Sequence, residues 1–301
     1  MDSNNSVLHM PVLMEEVTQF AQPQSGEIWV DGTAGGGGHT ADILQVVQPH
    51  GHVIAIDRDP AACLKLQKRF DQQAVIVVND SYHHLPLHLD RIAESIGVAK
   101  PLLVDGILLD LGLSSDQLAD RERGFSFQSD GPLDLRYNPN EGESAAELLR
   151  YIREEDLANI IYQFGEERFS RRIARRIVEQ RKIEPIETAK QLADLIHRSV
   201  PGRIHGRVDS ATRTFQALRI AVNRELEIVE KALRELPACL KPGGRFLVIS
   251  FHSLEDRLVK HIFREHEALE VLTKKPIEAS DDEERRNPRS RSAKLRVSKR
   301  K

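Results

Sequence analysis

A run of four consecutive glycines, Gly35 to Gly38, constrains the fold of this chain more than any other feature. It follows the apolar stretch Ile28 to Val30, which predicts a buried strand ending at Asp31, and it precedes a helical pattern at residues 39–47. Glycine loses more conformational freedom on folding than any other residue, so a cluster of glycines is costly to fold. We therefore predict a strand–loop–helix unit whose loop backbone approaches a ligand closely.

A second predicted strand, Val53 to Asp57, also ends in an acidic residue. Asp57 follows the glycines by roughly 20 residues, a spacing typical of dinucleotide and nucleoside sites. Its carboxylate can accept hydrogen bonds from both ribose hydroxyls, so the two features predict an adenosine-containing cofactor. In one register the glycines also match the dinucleotide pattern, which by itself leaves a nicotinamide cofactor open.

Short apolar runs alternate with helical patterns in the first third of the chain. The alternation predicts an α/β fold, a mostly parallel, twisted, Rossmann-like sheet with helices on both faces. Strand patterns disappear at about residues 120–212, which predicts an all-helical insertion between a first core part, 1–119, and a second, 213–301. We expect the insertion to recognise the substrate.

Local signals also mark individual helices. Asp59 before Pro60 predicts a helix start, and Thr188 with Gln191 three residues later has the spacing of a capping box. The pattern at about residues 212–236 predicts one long helix.

The fourth predicted strand ends at Asp110. In open α/β sheets, ligands bind beyond the carboxyl ends of the strands, so we expect Asp110 to face a reacting group. The glycine run with the acid before it resembles the first motif of methyltransferases that use S-adenosylmethionine. In that motif the loop supports the amino-acid part of the cofactor.

Positive charge is concentrated in two places, although the formal net charge is only −3. Residues 285–301 contain nine Lys or Arg and no acid, which predicts a basic tail that contacts RNA phosphates. Residues 274–288 have the pattern of a flexible loop, and residues 293–297 could add a last short strand. In the insertion, five arginines have helical spacing and predict either an RNA-binding stripe or a solvated face paired with Glu166, Glu167 and Glu179. These arginines are Arg168, Arg171, Arg172, Arg175 and Arg176.

The composition excludes several classes of protein. No apolar run is long enough to span a membrane, and residues 1–10 lack the pattern of a secretory signal. Cys63 and Cys239 are isolated within apolar patterns, so we predict buried thiols and a cytoplasmic protein. His84 and His88 have i, i+4 spacing but no evident third ligand, so we predict no metal site.

Many ordered segments together resemble one family, the bacterial 16S ribosomal RNA cytosine-N4 methyltransferases. The resemblance covers nearly the whole chain, and the segments that carry it are residues 9–13, 31–39, 57–60, 110–117, 123–127, 131–136, 165–167, 212–220, 222–226, 250–257 and 287–296. It implies a class I methyltransferase core, S-adenosylmethionine as cofactor, and 16S rRNA or the small ribosomal subunit as partner. The implied product is a cytosine methylated on N4 in the decoding region.

The resemblance also implies which residues contact the cofactor: Gly37, Gly38, His39, Asp57, Tyr82, Asp110 and Gln117. The departures from the family pattern are small, for instance Ala34 where an aromatic residue is common and Tyr82 where phenylalanine is common.

The exocyclic N4 of cytosine is a poor nucleophile, so an acceptor for its hydrogen would favour the reaction. Asp110 is our main candidate, with Ser114 and Ser115 as weaker ones. The segment that contains His252 and Asp256 follows a predicted strand, and it predicts either a helix start or a contact with the target base.

Two other functions remain open from the sequence. One is a non-catalytic RNA-binding or assembly factor that retains the fold, and the other is a nucleotide-dependent oxidoreductase, for which we find no convincing hydride-transfer acid. The sequence leaves the oligomeric state open, with a homodimer as one option.

Overall fold

The computed structural model describes residues 11–126, 130–200 and 209–301. The chain divides into two compact units, one formed by the residues up to Gly112 and from Glu227 onward, the other by Leu113–Leu226. The second unit extends beyond the predicted 120–212. One reason is that a helix ending at Asn223 buries Phe215 and Leu218 in the core of the helical unit itself.

The first unit contains a seven-stranded sheet in the order β3-β2-β1-β4-β5-β7-β6. Neighbouring strands from β3 to β5 are parallel, whereas β7 is antiparallel to both β5 and β6. The mostly parallel α/β class predicted from the sequence is therefore confirmed. The strands are β1 (Ile28–Asp31), β2 (His52–Asp57), β3 (Val75–Asn79), β4 (Val104–Asp110), β5 (Leu240–Ser250), β6 (Leu269–Val271) and β7 (Lys294–Arg300).

Alternate residues of the strands pack on opposite faces of this sheet. Ile107 and Leu109 belong to one buried cluster, and Leu108 belongs to the other. Such two-sided burial explains why the strands are continuous apolar runs. Gly106 pairs with Trp29 on the neighbouring strand, and a Cβ at Gly106 would lie 2.2 Å from the indole ring.

The helices of both units are named in chain order. They are α1 (Met14–Ala21), α2 (Gly38–Val47), α3 (Pro60–Arg69), α4 (Leu85–Ile96), α5 (Ser115–Ala119), α6 (Ala145–Tyr151), α7 (Glu154–Gly165), α8 (Ser170–Gln180), α9 (Ala189–Ser199), α10 (Ser210–Asn223), α11 (Glu225–Glu235), α12 (Ser253–Glu265) and α13 (Asp281–Arg286). A single helix predicted over 212–236 is two helices in the structure. The chain turns at Arg224, whose φ of 52° is left-handed.

The helical unit has a core of its own. α7 and α8 bury Ile161, Ile173 and Ile177, and α9 adds Leu192. The predicted capping box at the start of α9 is confirmed, because the Thr188 side chain accepts a hydrogen bond from the backbone N–H three residues later. Within the described residues, we find no helix that combines the length and apolar character needed to cross a membrane.

The short strand predicted at residues 293–297 is confirmed, so the C-terminal segment is not a basic tail throughout. Residues 294–300 form β7, which lies inside the sheet between β5 and β6. Residues 281–286, predicted as part of a loop, form α13, capped by Ser280. The apolar residues Leu295 and Val297 alternate with polar ones along β7, and both are fully buried. Local charge suggested an arm, but burial of these side chains makes the segment part of the core.

Candidate active site

The carboxyl ends of β1, β2 and β4 meet at one edge of the sheet and carry Asp31, Asp57 and Asp110. The antiparallel strand β7 begins at the same edge, because Lys294 pairs with Ser250 at the end of β5. All these elements belong to the α/β unit. This edge is where the topology of the fold favours ligand binding.

The glycine loop connects β1 to α2 at this edge. Gly35 and Gly37 have φ of 49° and 76°, which most side chains disfavour. Their neighbours restrict the loop further, since a Cβ at Gly37 would lie 2.7 Å from the Phe70 ring. At Gly36, in contrast, a Cβ would meet no described atom within 4 Å. Packing therefore explains why residue 37 is a glycine, whereas open space adjoins Gly36.

Gly38 also excludes a side chain for reasons of packing. A Cβ at this position would lie 2.2 Å from Cγ of Pro11. The family resemblance implies that Gly37 and Gly38 contact the cofactor. In the structure each of these two glycines also lies against a side chain of the protein, Phe70 or Pro11. A larger residue is therefore excluded at both positions whether or not a ligand is bound.

Asp31 fixes the loop to the helix that follows. Its Oδ2 accepts a hydrogen bond from Thr40 Oγ1 at 2.7 Å, and its Oδ1 accepts one from the backbone N–H of Thr33 at 3.3 Å. Burial raises the pKa of Asp31 to about 6, although these hydrogen bonds act in the opposite direction. Asp31 thus stabilises the strand–loop–helix unit.

Asp57 holds the other side of the loop. Its Oδ2 accepts a hydrogen bond from the backbone N–H of Gly35, and its Oδ1 accepts one from that of Asp59, both at 2.8 Å. Each carboxylate oxygen has a second lone pair, so both can still accept a ribose hydroxyl. Burial raises the pKa of Asp57 to about 6, and the charges of Asp59 and Asp31 add to the effect. Asp59 itself caps α3 by accepting from the N–H of Ala61, as predicted from the sequence.

Asp110 is linked to the same loop through its backbone. Its N–H donates a hydrogen bond of 2.6 Å to Thr33 Oγ1. In the side chain, Oδ2 lies 3.9 Å from Nε2 of the buried His39. Oδ1 is buried and has no hydrogen-bond partner among the residues that the structure describes. A buried carboxylate oxygen without a donor is costly, and it is available to an incoming N–H group.

The surroundings of Asp110 move its pKa close to physiological pH. Burial raises its pKa to about 7, the positive charge of Arg289 opposes this rise, and the charges of Asp31 and Glu255 add to it. A group with such a pKa can take or release a proton near pH 7. Functional sites often contain carboxyl groups perturbed in this way.

Arg289 was not among the site residues predicted from the sequence. It lies in a short 3-10 helix, Pro288–Ser292, which leads into β7 at the ligand edge of the sheet. The turn is fixed by Ser290, fully buried, whose Oγ donates to the carbonyl of Asn287 at 2.8 Å. No local sequence pattern distinguishes Arg289 from the other arginines nearby. Its position near Asp110 follows from the antiparallel direction of β7, which begins at the ligand edge of the sheet.

Tyr82 lies in the turn after β3 and packs, half-buried, against the core of the sheet. Its Cβ lies 2.9 Å from the position that a Cβ on Gly32 would take, so its base adjoins the start of the glycine loop. Nearby, His84 and His88 hydrogen-bond opposite oxygens of the Asp80 carboxylate at 2.8 and 2.7 Å.

Three predicted residues belong to the helical unit, where they begin α5. Ser114 Oγ accepts a hydrogen bond from the N–H of Gln117 at 3.1 Å, and Gln117 Oε1 accepts one from the N–H of Ser114 at 3.0 Å. Ser115 is the first residue of the helix. The structure thus gives Ser114 and Gln117 a capping role that the sequence analysis did not predict.

The segment with His252 and Asp256 is a helix start. His252 is the N-cap of α12, and its ring lies 3.1 Å from Oε1 of the buried Glu255. Asp256 forms a two-pronged ion pair with Arg296 of β7, with distances of 2.6 and 3.2 Å. The helix start predicted from the sequence is confirmed, and a contact of this segment with the target base stays a prediction.

Basic residues of the predicted tail are largely occupied by contacts within the α/β unit. Arg296 is buried against Asp256, Lys299 pairs with Glu270 at 3.1 Å, and Arg300 donates to main-chain carbonyls. These side chains hold β7 in the sheet, so residues 294–300 do not form a free arm, and RNA contact by the other basic residues of the segment stays a prediction.

Known proteins are similar to this chain over nearly its whole length. The family model described as the MraW methylase family matches residues 6–301. Ribosomal RNA small subunit methyltransferase H of Trichlorobacter lovleyi is 46% identical over 308 residues, which cover 96% of this chain and 97% of that protein. The protein of the same name from Deinococcus deserti is 47% identical over 295 residues, with 98% and 94% covered. Among solved structures, an rRNA methylase from Streptococcus thermophilus aligns over 95% of this chain and 94% of its own, with 10% identity and a TM-score of 0.43.

Proposed function

The chain belongs to the MraW methylase family, and from this premise we propose that it methylates N4 of one cytosine in the decoding region of 16S ribosomal RNA, with S-adenosylmethionine as methyl donor. The observation that supports a methyl-transfer site is Asp110. Its carboxyl group lies at the ligand edge of the sheet, with one oxygen unsatisfied by any described residue and a pKa of about 7.

The residues at this edge fit S-adenosylmethionine. Asp57 retains lone pairs for the two ribose hydroxyls, and open space adjoins the backbone at Gly36. We expect Tyr82 to lie against the adenine, and the backbone at Gly37 and Gly38 with His39 to border the amino-acid part. The contacts of Gln117 with the cofactor stay a prediction from the family resemblance.

The chemistry requires a proton acceptor. S-adenosylmethionine supplies a methyl group whose bonding electrons remain on sulfur when the C–S bond breaks. Asp110 accepts a hydrogen bond from the cytosine N4, which favours attack of the N4 lone pair on the methyl carbon. Asp110 then takes the proton from N4. The Thr33 hydroxyl, bonded to the N–H of Asp110, holds the end of β4 against the loop, so the acceptor is oriented before substrate binds. Ser114 is a poorer proton acceptor than Asp110 because a neutral hydroxyl is a much weaker base than a carboxylate.

Labelled methyl transfer to small ribosomal subunits that lack the modification tests the proposal. We expect one methyl group per subunit, found on cytosine N4 by nucleoside mass spectrometry. Asp110→Asn should retain cofactor binding and lose turnover, whereas Ser115→Ala should retain both. Absence of transfer to assembled subunits and to free 16S rRNA would contradict the proposal, as would methylation at a carbon of the base. Absence of transfer with intact RNA binding would favour a non-catalytic assembly factor.

A further inference from the structure

The exposed face of α8 carries a group of arginines that the proposed mechanism does not use. The apolar face of this helix is buried through Ile173, Ala174 and Ile177. The opposite face is exposed, and with the residue Arg168 just before the helix it forms a surface that we name the α8 arginine surface. Its members are Arg168, Arg171, Arg172, Arg175 and Arg176.

Within the part of the chain that the structure describes, two of these arginines form ion pairs and three do not. Arg176 lies 3.0 Å from Glu179, and Arg175 lies 3.5 Å from Glu154. All four of these side chains are well exposed, and exposed pairs are weak. No carboxylate among the described residues forms an ion pair with the remaining three, which are Arg168, Arg171 and Arg172.

Glu167, which the sequence suggested as an ionic partner of these arginines, does not pair with them in the structure. Glu167 is buried, and it accepts hydrogen bonds from the N–H of Phe169 and from Ser210 Oγ. Its remaining ionic neighbour is Arg213, at 3.6 Å. The parts of this unit outside the described residues, 127–129 and 201–208, contain no Asp or Glu in the sequence. Ion pairs with neighbouring glutamates therefore do not account for Arg168, Arg171 and Arg172.

Several other cations of the helical unit lie beside acids. Ion pairs of this kind are Arg136–Asp134, Arg150–Glu187, Arg153–Asp156, Lys190–Asp130 and Arg219–Glu225. By contrast, Arg171 and Arg172 stand together in the first turn of α8, which contains no acid. Positive charge at that position opposes the helix dipole, so these arginines do not serve the stability of the helix.

We propose that the α8 arginine surface binds the phosphate backbone of ribosomal RNA. This inference rests on the proposed function, in which RNA is the substrate. It assigns RNA binding to one surface of the helical unit. Guanidinium groups bind phosphate oxygens in a two-pronged geometry, and such contacts position a nucleic acid without reading its sequence. Arg175 and Arg176 can exchange their exposed carboxylate partners for phosphates at little cost.

The test compares two double variants that remove the same charge from exposed positions of one unit. Arg171→Gln with Arg172→Gln changes the proposed surface, and Lys190→Gln with Arg198→Gln, at exposed positions of α9, is the matched control on another helix. Glutamine has nearly the helix propensity of arginine, so α8 should form normally. Affinity for a purified 16S rRNA transcript is measured over a series of KCl concentrations between about 0.1 and about 1 M, where the salt dependence reports phosphate contacts, and melting temperature is recorded for each protein.

For the α8 variant, we expect the slope of log affinity against log salt to become shallower by about 1.4 to 1.8, since each lost phosphate contact contributes about 0.7 to 0.9. At about 0.1 M salt this corresponds to about 25- to 60-fold weaker binding if affinity at about 1 M is unchanged. The melting temperature should be unchanged or slightly higher, because the removed charges oppose the helix dipole. For transfer to subunits, KM should rise while kcat at saturation is retained.

An equal slope for the α8 variant and the wild type would overturn the inference, as would an equal loss in the matched control. Normal RNA binding combined with weaker binding to whole subunits would also overturn it, and would indicate a protein partner. If the slope becomes shallower as expected but no protein transfers a methyl group, the inference stands and the proposed function fails.

Discussion

Replacing Asp110 with asparagine tests whether a carboxylate at the end of β4 accepts the N4 proton. Only the ionised carboxylate can accept it, and burial raises the pKa of Asp110 to about 7 from an ordinary value of 3.8. The difference corresponds to about 4 kcal/mol against ionisation. Because the side chain is 23% exposed, solvent screening makes this figure an upper bound.

The rate should therefore follow the ionisation of Asp110. With cofactor and subunits saturating, kcat should rise about tenfold from about pH 6 towards a plateau above about pH 8, since about one-tenth of the carboxyl is ionised at about pH 6. Asp110→Asn should lower kcat by about 10²- to 10⁴-fold, the usual contribution of a general base, and abolish this rise. Single-turnover methyl transfer under a series of pH values measures both effects.

The same pKa predicts an effect on stability with a definite sign. The folded state binds the Asp110 proton more tightly than the unfolded state, so the free energy of unfolding falls as the pH rises from about 4 to about 7. An asparagine side chain at this position does not titrate. The stability of the Asp110→Asn variant relative to wild type should therefore increase across this range, by at most about 4 kcal/mol, and stay constant above it.

Urea unfolding of the protein without cofactor measures this difference. A variant that retains full turnover would refute the assignment of Asp110 as proton acceptor. A stability difference that does not change between about pH 4 and about pH 7 would refute the reasoning about its pKa.

Three further predictions concern the surroundings of this site. Arg289→Gln should move the pH–rate profile to higher pH because it removes the positive charge that lowers the pKa of Asp110. Arg289→Lys keeps the charge and should largely restore the profile. A profile that Arg289→Gln leaves unshifted would contradict this prediction. Gly37→Ala should destabilise the protein by about 1–3 kcal/mol in urea unfolding, since it places a side chain at φ 76° against an aromatic ring. Gly36→Ala should fold normally and weaken cofactor binding in calorimetry. A larger loss of stability in Gly36→Ala than in Gly37→Ala would be inconsistent with the loop geometry. Truncation before residue 294 should cause loss of the cooperative unfolding transition in circular dichroism, because it removes β7 from inside the sheet, and a truncated protein with a normal transition would show that the segment is a dispensable arm.

Much of the α/β framework could be predicted because its signals are local. Apolar runs ending in Asp31, Asp57 and Asp110 are strands β1, β2 and β4 in the structure. Asp59 before Pro60 is a helix start because capping needs only neighbouring residues. The family resemblance rests on ordered motifs of the same local kind, and the family model confirms it.

Other features depend on which residues become neighbours. The basic segment 294–300 has the charge of an arm, yet its alternate apolar residues are buried in the sheet. Arg289 is one of several similar arginines in the sequence, and it acts on Asp110 because an antiparallel strand begins at the ligand edge. Whether the arginines of α8 were paired with glutamates could not be read from spacing, since Glu167 faces the interior.

By itself, the sequence determined the strand–loop–helix unit around the glycines, the acids at the strand ends, the helical insertion and the family. These follow from backbone preferences and side-chain periodicity, which act over a few residues. The tertiary structure decided the ionisation of Asp110, the role of each glycine, the place of β7 and the exposed positive charge of α8. Burial, packing and electrostatic interaction depend on distances through space, and only the folded chain sets those distances.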